Sequence, residues 1–213
     1  MAGGANDLSR LADLLEARAA GGERVIVAIA GAPGSGKSTL ADKLVGKLNG
    51  RQAGLAAVLP MDGFHYDDLY LVPAGLRPRK GAPHTFDVGG LCHTLRRLRA
   101  RDEAEVFVPV FDRKIEIARA GARMISASVR VIVVEGNWLL LNQAPWDGLR
   151  PLFDVTAMVE VAEHTLRARL RGRWERLGLT EAEIVAKLDE NDLPNGRLVR
   201  DGSDPADFRL GNG

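Results

Sequence analysis

The run Val25-Ile26-Val27-Ala28-Ile29-Ala30, followed at once by GAPGSGKST, constrains this chain more than any other stretch. A continuous apolar run with β-branched residues predicts a strand covered on both faces, the central strand of a parallel sheet. Behind it, Gly31-Ala32-Pro33-Gly34-Ser35-Gly36-Lys37-Ser38 meets the pattern G-x-x-x-x-G-K-[ST], with Thr39 following. Glycines let backbone N–H groups curl round a phosphate, and the N-terminus of a following helix adds its positive end. Leu40, Leu44, Val45 and Leu48 supply that helix by their spacing. In such a loop Lys37 reaches the β- and γ-phosphates of a nucleotide, and the Ser38 hydroxyl meets Mg²⁺.

The remainder of the chain extends the same layered pattern. Leu8, Leu11, Leu14 and Leu15 predict a first helix, capped at Asn6-Asp7 and stopped by Gly21-Gly22. Leu55 to Leu59 predicts a second strand, so the opening reads helix, strand, phosphate loop, helix, strand, a βαβ unit. Residues 67–87 are rich in proline and glycine and poor in periodicity, which marks a functional segment. Val88, Leu91, Cys92, Leu95 and Leu98 form a helix-core stripe, with Cys92 expected as a small buried hydrophobe. VFVPVFDR predicts an edge strand interrupted by Pro109. VRVIVVEGN and DVTAMVEV predict two more strands, the second expected to be the last of the sheet. Leu166, Leu170, Trp174 and Leu177 then share one helix face, and Thr180 to Glu183 is a capping box.

At 213 residues the chain fits one domain. Lys+Arg of 29 against Asp+Glu of 28 argues against an extended nucleic-acid or membrane-surface footprint. No apolar run approaches the ~20 residues that span a bilayer. The start, MAGGANDLSR, lacks the order of a secretory signal. The single cysteine excludes an internal disulfide and fits a reducing compartment. These features lead us to expect a cytoplasmic protein with no nucleic-acid or membrane partner; a homodimer and a monomer are both open. The four histidines lack metal-ligand spacing, so no structural zinc is expected.

A nucleotide site needs an acid at the end of a neighbouring strand. Glu135 ends VRVIVVEGN and Asp62 follows Leu55–Leu59. Both fall where ligands gather in an open parallel sheet, at the carboxyl ends of the strands. One could organise Mg²⁺ while the other accepts a proton from an attacking hydroxyl. Arg169, Arg173 and Arg176 recur at i, i+4, i+7, a candidate cationic clamp over a transferring phosphoryl group. The chain has neither the N-K-x-D base reader of a GTPase nor an L-S-G-G-Q-like transporter signature. What remains is a small kinase or a nucleotide-binding regulator.

GAPGSGKST, MDGFHYDDLYL, RKGAPHTFDV, VPVFDR and VEGNWLLL occur in one order, from about Arg24 to Leu210. In these motifs the chain resembles the P-loop kinases that include uridine kinase, phosphoribulokinase and bacterial pantothenate kinase. Within them it is most similar to proteins described as fructose transport system kinases. The resemblance implies a P-loop NTPase three-layer α/β/α fold: a parallel sheet flanked by helices, with a helical lid at about 163–178 and an acceptor segment at about 62–90. It implies ATP, with Mg²⁺, phosphorylating a hydroxyl of a small-molecule acceptor. It places the catalytic base at Asp62, the strand-end acid at Glu135 and the lid arginines at Arg169 and Arg173. The acceptor pocket would take Lys80, with Gly81 and Pro83, then Phe111, Asp112 and Arg113, and later Asn191 and Asn195. His65 and Tyr66 follow the base and are candidates to touch a polyol. Two departures, Gly63 where uridine kinases carry serine and Phe111 for the pantothenate-kinase tyrosine, favour a sugar-like or polyol-like acceptor. A nucleoside- or pantothenate-type kinase and a non-catalytic regulator are the alternatives.

Overall fold

Val25–Gly31 forms strand β1, buried along its whole length. Its side chains divide by the two-residue period of a strand: Val25, Val27 and Ile29 pack on one face, Ile26, Ala28 and Ala30 on the other. The first face is covered by helices α1 (Gly3–Ala19) and α2 (Lys37–Arg51), through Leu11, Leu15, Leu40, Leu44 and Leu48. Strand β2 (Ala56–Pro60) leads to a single helical turn, α3 (Asp68–Leu71), and then to α4 (Val88–Ala100). Helix α4 covers the second face through Leu91, Leu95 and Leu98, with Cys92 half-buried against the same core. Full burial of a Leu or Ile side chain is worth about 1.5–3 kcal/mol, so this two-sided packing holds the layers together. The computed structural model describes residues 3–213.

An antiparallel hairpin follows, β3 (Glu105–Asp112) and β4 (Ile117–Ser126), and forms a sheet of its own. Then come β5 (Val131–Gly136) and β6 (Val155–Glu160), and helices α5 (Glu163–Arg176) and α6 (Glu181–Ala186). Helix α6 opens on the expected Thr180/Glu183 capping box. A π-helical turn (Lys187–Asp192) joins it to α7 (Leu193–Gly202), and β7 (Phe208–Gly211) ends the sheet. The main sheet runs β2-β5-β1-β6-β7, parallel throughout. Ile29 of β1 and Pro60 of β2 both pair with Glu135 of β5, so three strand ends finish at one level. No helix among the described residues is long and apolar enough to cross a membrane.

The structure differs from the sequence reading in three places. Helix α1 begins at Gly3, ahead of the Asn6-Asp7 pair expected to cap it. Strand β7 lies beyond β6, where the sheet was expected to end; its four residues bury one side chain, Leu210, and give no period to read. Strand β4 is mostly exposed and lacks an alternating apolar face. Pro109 sits where the β3–β4 register shifts, which fits its inability to donate to a ladder.

The segment 67–87 is anchored despite its lack of periodicity. Trp138 Nε1 donates to the Gly81 carbonyl at 3.0 Å and Trp146 Nε1 to that of Pro83 at 3.1 Å. At the head of this region the hairpin crosses close over Gly63, where a Cβ would lie 2.4 Å from the Pro109 carbonyl oxygen. Only glycine lets β3 approach the turn that carries Asp62. Gly63→Ala is therefore expected to lower stability by about 1–3 kcal/mol through overpacking, read as a shift in the urea midpoint. An unchanged midpoint would show that the hairpin can retreat freely.

Candidate active site

The phosphate loop rises from the carboxyl end of β1, and two of its glycines hold left-handed backbone, with φ of 77° at Gly34 and 82° at Gly36. A Cβ at Gly34 would lie 2.9 Å from Leu170 Cγ, and one at Gly36 2.4 Å from Asn212 Nδ2. Leu170 and Asn212 thus brace the loop from outside, and Asn212 donates to the Ser35 carbonyl at 2.7 Å. Inside the loop, Ser35 Oγ is buried with no protein partner. Lys37 is buried as well, and among the described residues no carboxylate lies within ion-pair distance of it. Burial pulls its pKa down, against the raising fields of Glu135 and Asp62.

Ser38 Oγ donates to Glu135 Oε2 at 2.9 Å. Burial pushes the Glu135 carboxyl up, and nearby Lys37 only partly offsets this. A lysine and a glutamate both biased towards their neutral forms suit a ligand that brings both signs of charge. Mg²⁺ takes one or two protein oxygens and fills its remaining positions with water and phosphate. Ser38 and Glu135 fit that ion.

Asp62 stands just past β2 in a 3-10 turn (Met61–Phe64), with 18% of its side chain exposed. Burial alone would raise its pKa, but the fields of His65, Arg113, Lys37 and Arg173 hold it below the ordinary value. Its Oδ2 accepts from Arg113 Nη2 at 2.7 Å. The His65 ring places Nδ1 2.7 Å from the Asp62 carbonyl, and burial lowers its pKa. Arg173 comes from α5, its guanidinium 4.8 Å from the Trp174 ring centroid; burial and the charge of Arg113 lower its pKa. These groups line a cavity of about 120 Å³ beside Pro33 and Gly34. A larger, mainly apolar cavity of about 340 Å³ lies on the far side of Ala32, between α5 and α7. Its two carboxylates, Glu160 and Glu163, are tied to Arg209 and Arg197, whereas Asp62, Lys37 and Arg173 all face the smaller one.

Of the sequence candidates, Lys37, Asp62, His65, Lys80, Phe111, Arg113, Arg173, Asn191 and Asn195 all line that cavity. Glu135 and Ser38 meet each other beside the phosphate loop instead, and Tyr66, Asp112 and Arg169 are engaged elsewhere. Tyr66 packs edge-on against Tyr70, 5.2 Å away. Asp112 accepts from Arg119 Nε at 2.9 Å and from the Lys114 amide at 3.0 Å. Arg169 donates to the Asn212 carbonyl at 2.8 Å, behind the phosphate loop. Asn191 and Asn195 are buried and bonded to each other, and Asn191 also donates to the Lys80 carbonyl at 3.3 Å.

The cavity also contains residues the sequence did not single out. Asn137 follows the strand that ends in Glu135, and its Oδ1 is buried without a partner. Its place in EGN, two residues past the acid, was the available signal. Arg77, Glu116, Lys187 and Asp192 line the cavity too, and nothing in their local spacing marked them. Trp174, read as part of a helix stripe, donates from Nε1 to Asp192 Oδ2 at 2.7 Å and lines the wall.

No protein-family model matches the chain. A Schizosaccharomyces pombe protein named as a putative uridine kinase is 35% identical over 184 residues, covering 83% of this chain and 78% of its own. The uncharacterised protein YggC of Escherichia coli is 36% identical over 178 residues, covering 83% and 73%. Among solved structures, a putative fructose transport system kinase from Silicibacter sp. TM1040 superposes with a TM-score of 0.83 at 41% identity, over 93% of this chain and 98% of the other. YFH7 of Saccharomyces cerevisiae, a P-loop containing kinase with a circular permutation, shares the fold at a TM-score of 0.83 and 20% identity, over 97% and 99%. With its parallel sheet, its phosphate loop and these relatives, the chain belongs to the P-loop kinases of the uridine kinase family.

Proposed function

We propose that the protein transfers the γ-phosphoryl group of ATP to a hydroxyl of a small sugar-like or polyol-like metabolite. The observation that carries this reading is the convergence of Asp62, Lys37 and Arg173 on one small cavity beside the phosphate loop. Loop N–H groups and Lys37 would hold the phosphates, and Ser38 with Glu135 would hold Mg²⁺. Mg²⁺ held there would offset the charge of the nucleotide's phosphates. Asp62, kept below the usual carboxylate range, is ionised at neutral pH, the state a proton acceptor requires. With Oδ2 taken by Arg113, Oδ1 is left for the acceptor hydroxyl. Arg173 has no carboxylate within ion-pair distance among the described residues, so it is free to meet the charge that spreads over the transferring group.

The acceptor side supports a polyhydroxylated ligand. The Phe111 and His65 rings, 4.7 Å apart and tilted by 39°, offer an aromatic wall. Asn137 Oδ1 offers an unfilled acceptor for a hydroxyl, and its desolvation is offset once one binds.

Asp62→Asn is expected to keep nucleotide affinity while turnover falls by roughly 10²–10⁴-fold, measured as acceptor-dependent ADP release beside an ATP titration. An unchanged rate would remove Asp62 from the base role. Glu135→Gln is expected to bind ATP as the wild type does in EDTA and to lose the gain in affinity that Mg²⁺ gives the wild type. A full Mg²⁺ gain in the variant would remove Glu135 from the metal site. A panel of sugars, polyols, nucleosides and pantothenate identifies the acceptor: activity confined to nucleosides or pantothenate would overturn the sugar-like reading. ATP binding without ADP release from any of them would mark a regulator.

A further inference from the structure

The wall of the cavity leads away from the base in a definite order. From Asp62 it passes to His65, whose ring lies 4.7 Å from that of Phe111, and then to Lys80, whose Nζ lies 5.4 Å from the same Phe111 ring. Lys80 is the most enclosed charge at this end, with 5% of its side chain exposed. Its Nζ donates to Asp68 Oδ1 at 2.6 Å and to the Glu116 carbonyl at 2.7 Å. The other oxygen of the same carboxylate, Asp68 Oδ2, accepts from Arg77 Nε at 2.7 Å. One carboxylate therefore serves two cations that both line the cavity.

That arrangement has a surplus of one positive charge. Glu116 lines the cavity too, but its contact with Lys80 runs through the backbone carbonyl; among the described residues its carboxylate makes no ion pair. Donors are also left over. An ammonium has three N–H and a guanidinium five, so Lys80 keeps one and Arg77 keeps those on its two terminal nitrogens. A neutral polyol would be satisfied by hydroxyls and amides and leaves unmatched a pair of cations that share one carboxylate, Lys80 enclosed and Arg77 with 35% of its side chain exposed. An anion satisfies both the charge and the donors, and Asp68 fixes the two cations side by side before it arrives.

We propose that the acceptor bears a fixed negative charge, a carboxylate or a phosphate monoester, held by Arg77 and Lys80 while its hydroxyl lies at Asp62. This rests on the kinase reading above and narrows its substrate class from a sugar or polyol to a sugar acid or sugar phosphate. Arg77 is thereby a specificity-determining residue, and Asp68 its positioning partner.

The test compares matched acceptors with the full-length protein, ATP and Mg²⁺: neutral sugars and polyols, the corresponding sugar acids, and the corresponding monophosphates. ADP release is followed for each. The expected result is a kcat/KM for one anionic class at least about 10-fold above that of its neutral counterpart, the size of one charge-assisted contact. Whether acids or phosphates are used identifies the group. Arg77→Met is expected to reduce the anionic-to-neutral ratio by about 10–100-fold, mainly through KM. Lys80→Met should do the same if it folds. A purely structural role for the Arg77–Asp68–Lys80 cluster would depress all acceptors alike and leave the ratio unchanged, which would overturn the proposal. Turnover of neutral acceptors equal to or better than their anionic partners would also overturn it, with the kinase reading intact. No ADP release from any member would overturn both.

Discussion

The parallel register of β5 between β1 and β2 is the constraint on which the rest of the site depends. It sets Ile29, Glu135 and Pro60 side by side across three strands. Three parts of the candidate site then lie within a few residues of that line: the phosphate loop beyond Ile29, the acid at Glu135 itself, and Asp62, the proposed base, two residues past Pro60. A slip of one residue in either pairing would turn Glu135 to the opposite face and part it from Ser38. The apolar alternation of β1 and β5 into two separate cores prevents that slip, because each face has its own helices to fill. Core packing and active-site geometry are in this sense one specification.

The site itself runs against the packing that supports it. Lys37 and Glu135 are buried, each biased by desolvation towards its neutral form, and Asp62 stays charged because cations surround it. Groups so arranged cost stability in the empty protein and recover it on binding a ligand that brings phosphate and a divalent cation. Gly63 makes the same trade sterically. By giving up a side chain it lets β3 bring Arg113 over the base.

How much of this was legible in the sequence depended on the range of the signal. Long apolar runs with a clear period gave β1, β2, β5 and β6, and the phosphate loop declared its own chemistry. Strand β7 offered one buried residue, and β4 offered exposed residues without alternation, so neither had a pattern to detect. Among site residues the errors were errors of facing. Phe111 and Arg113 point into the cavity while Asp112 between them turns to Arg119, which is the two-residue alternation of β3 carried into its turn. Arg169 and Arg173 differ by one helical turn, yet the first meets the strand end at Asn212 and the second meets the cavity. Arg77 could not be chosen by type or spacing and Asn137 had only its place two residues past Glu135, because what distinguishes them is a shared carboxylate in one case and an unfilled acceptor in the other.

The π-helical turn Lys187–Asp192 explains how the donor and acceptor ends are coupled. Such turns are rare and gather at functional sites, because the extra residue in the turn shifts which side chains face inwards. Here adjacent residues, Asn191 and Asp192, are both buried and both line the cavity. Asn191 donates to the Lys80 carbonyl, in the segment that carries the acceptor-side cations. Asp192 accepts from Trp174, whose ring supports Arg173 on the lid. Burial raises the Asp192 carboxyl, and the Trp174 hydrogen bond and the charges of Arg173 and Lys187 offset part of that rise. Through one irregular turn, the position of Arg173 and the position of the segment that carries Lys80 become parts of the same packing problem.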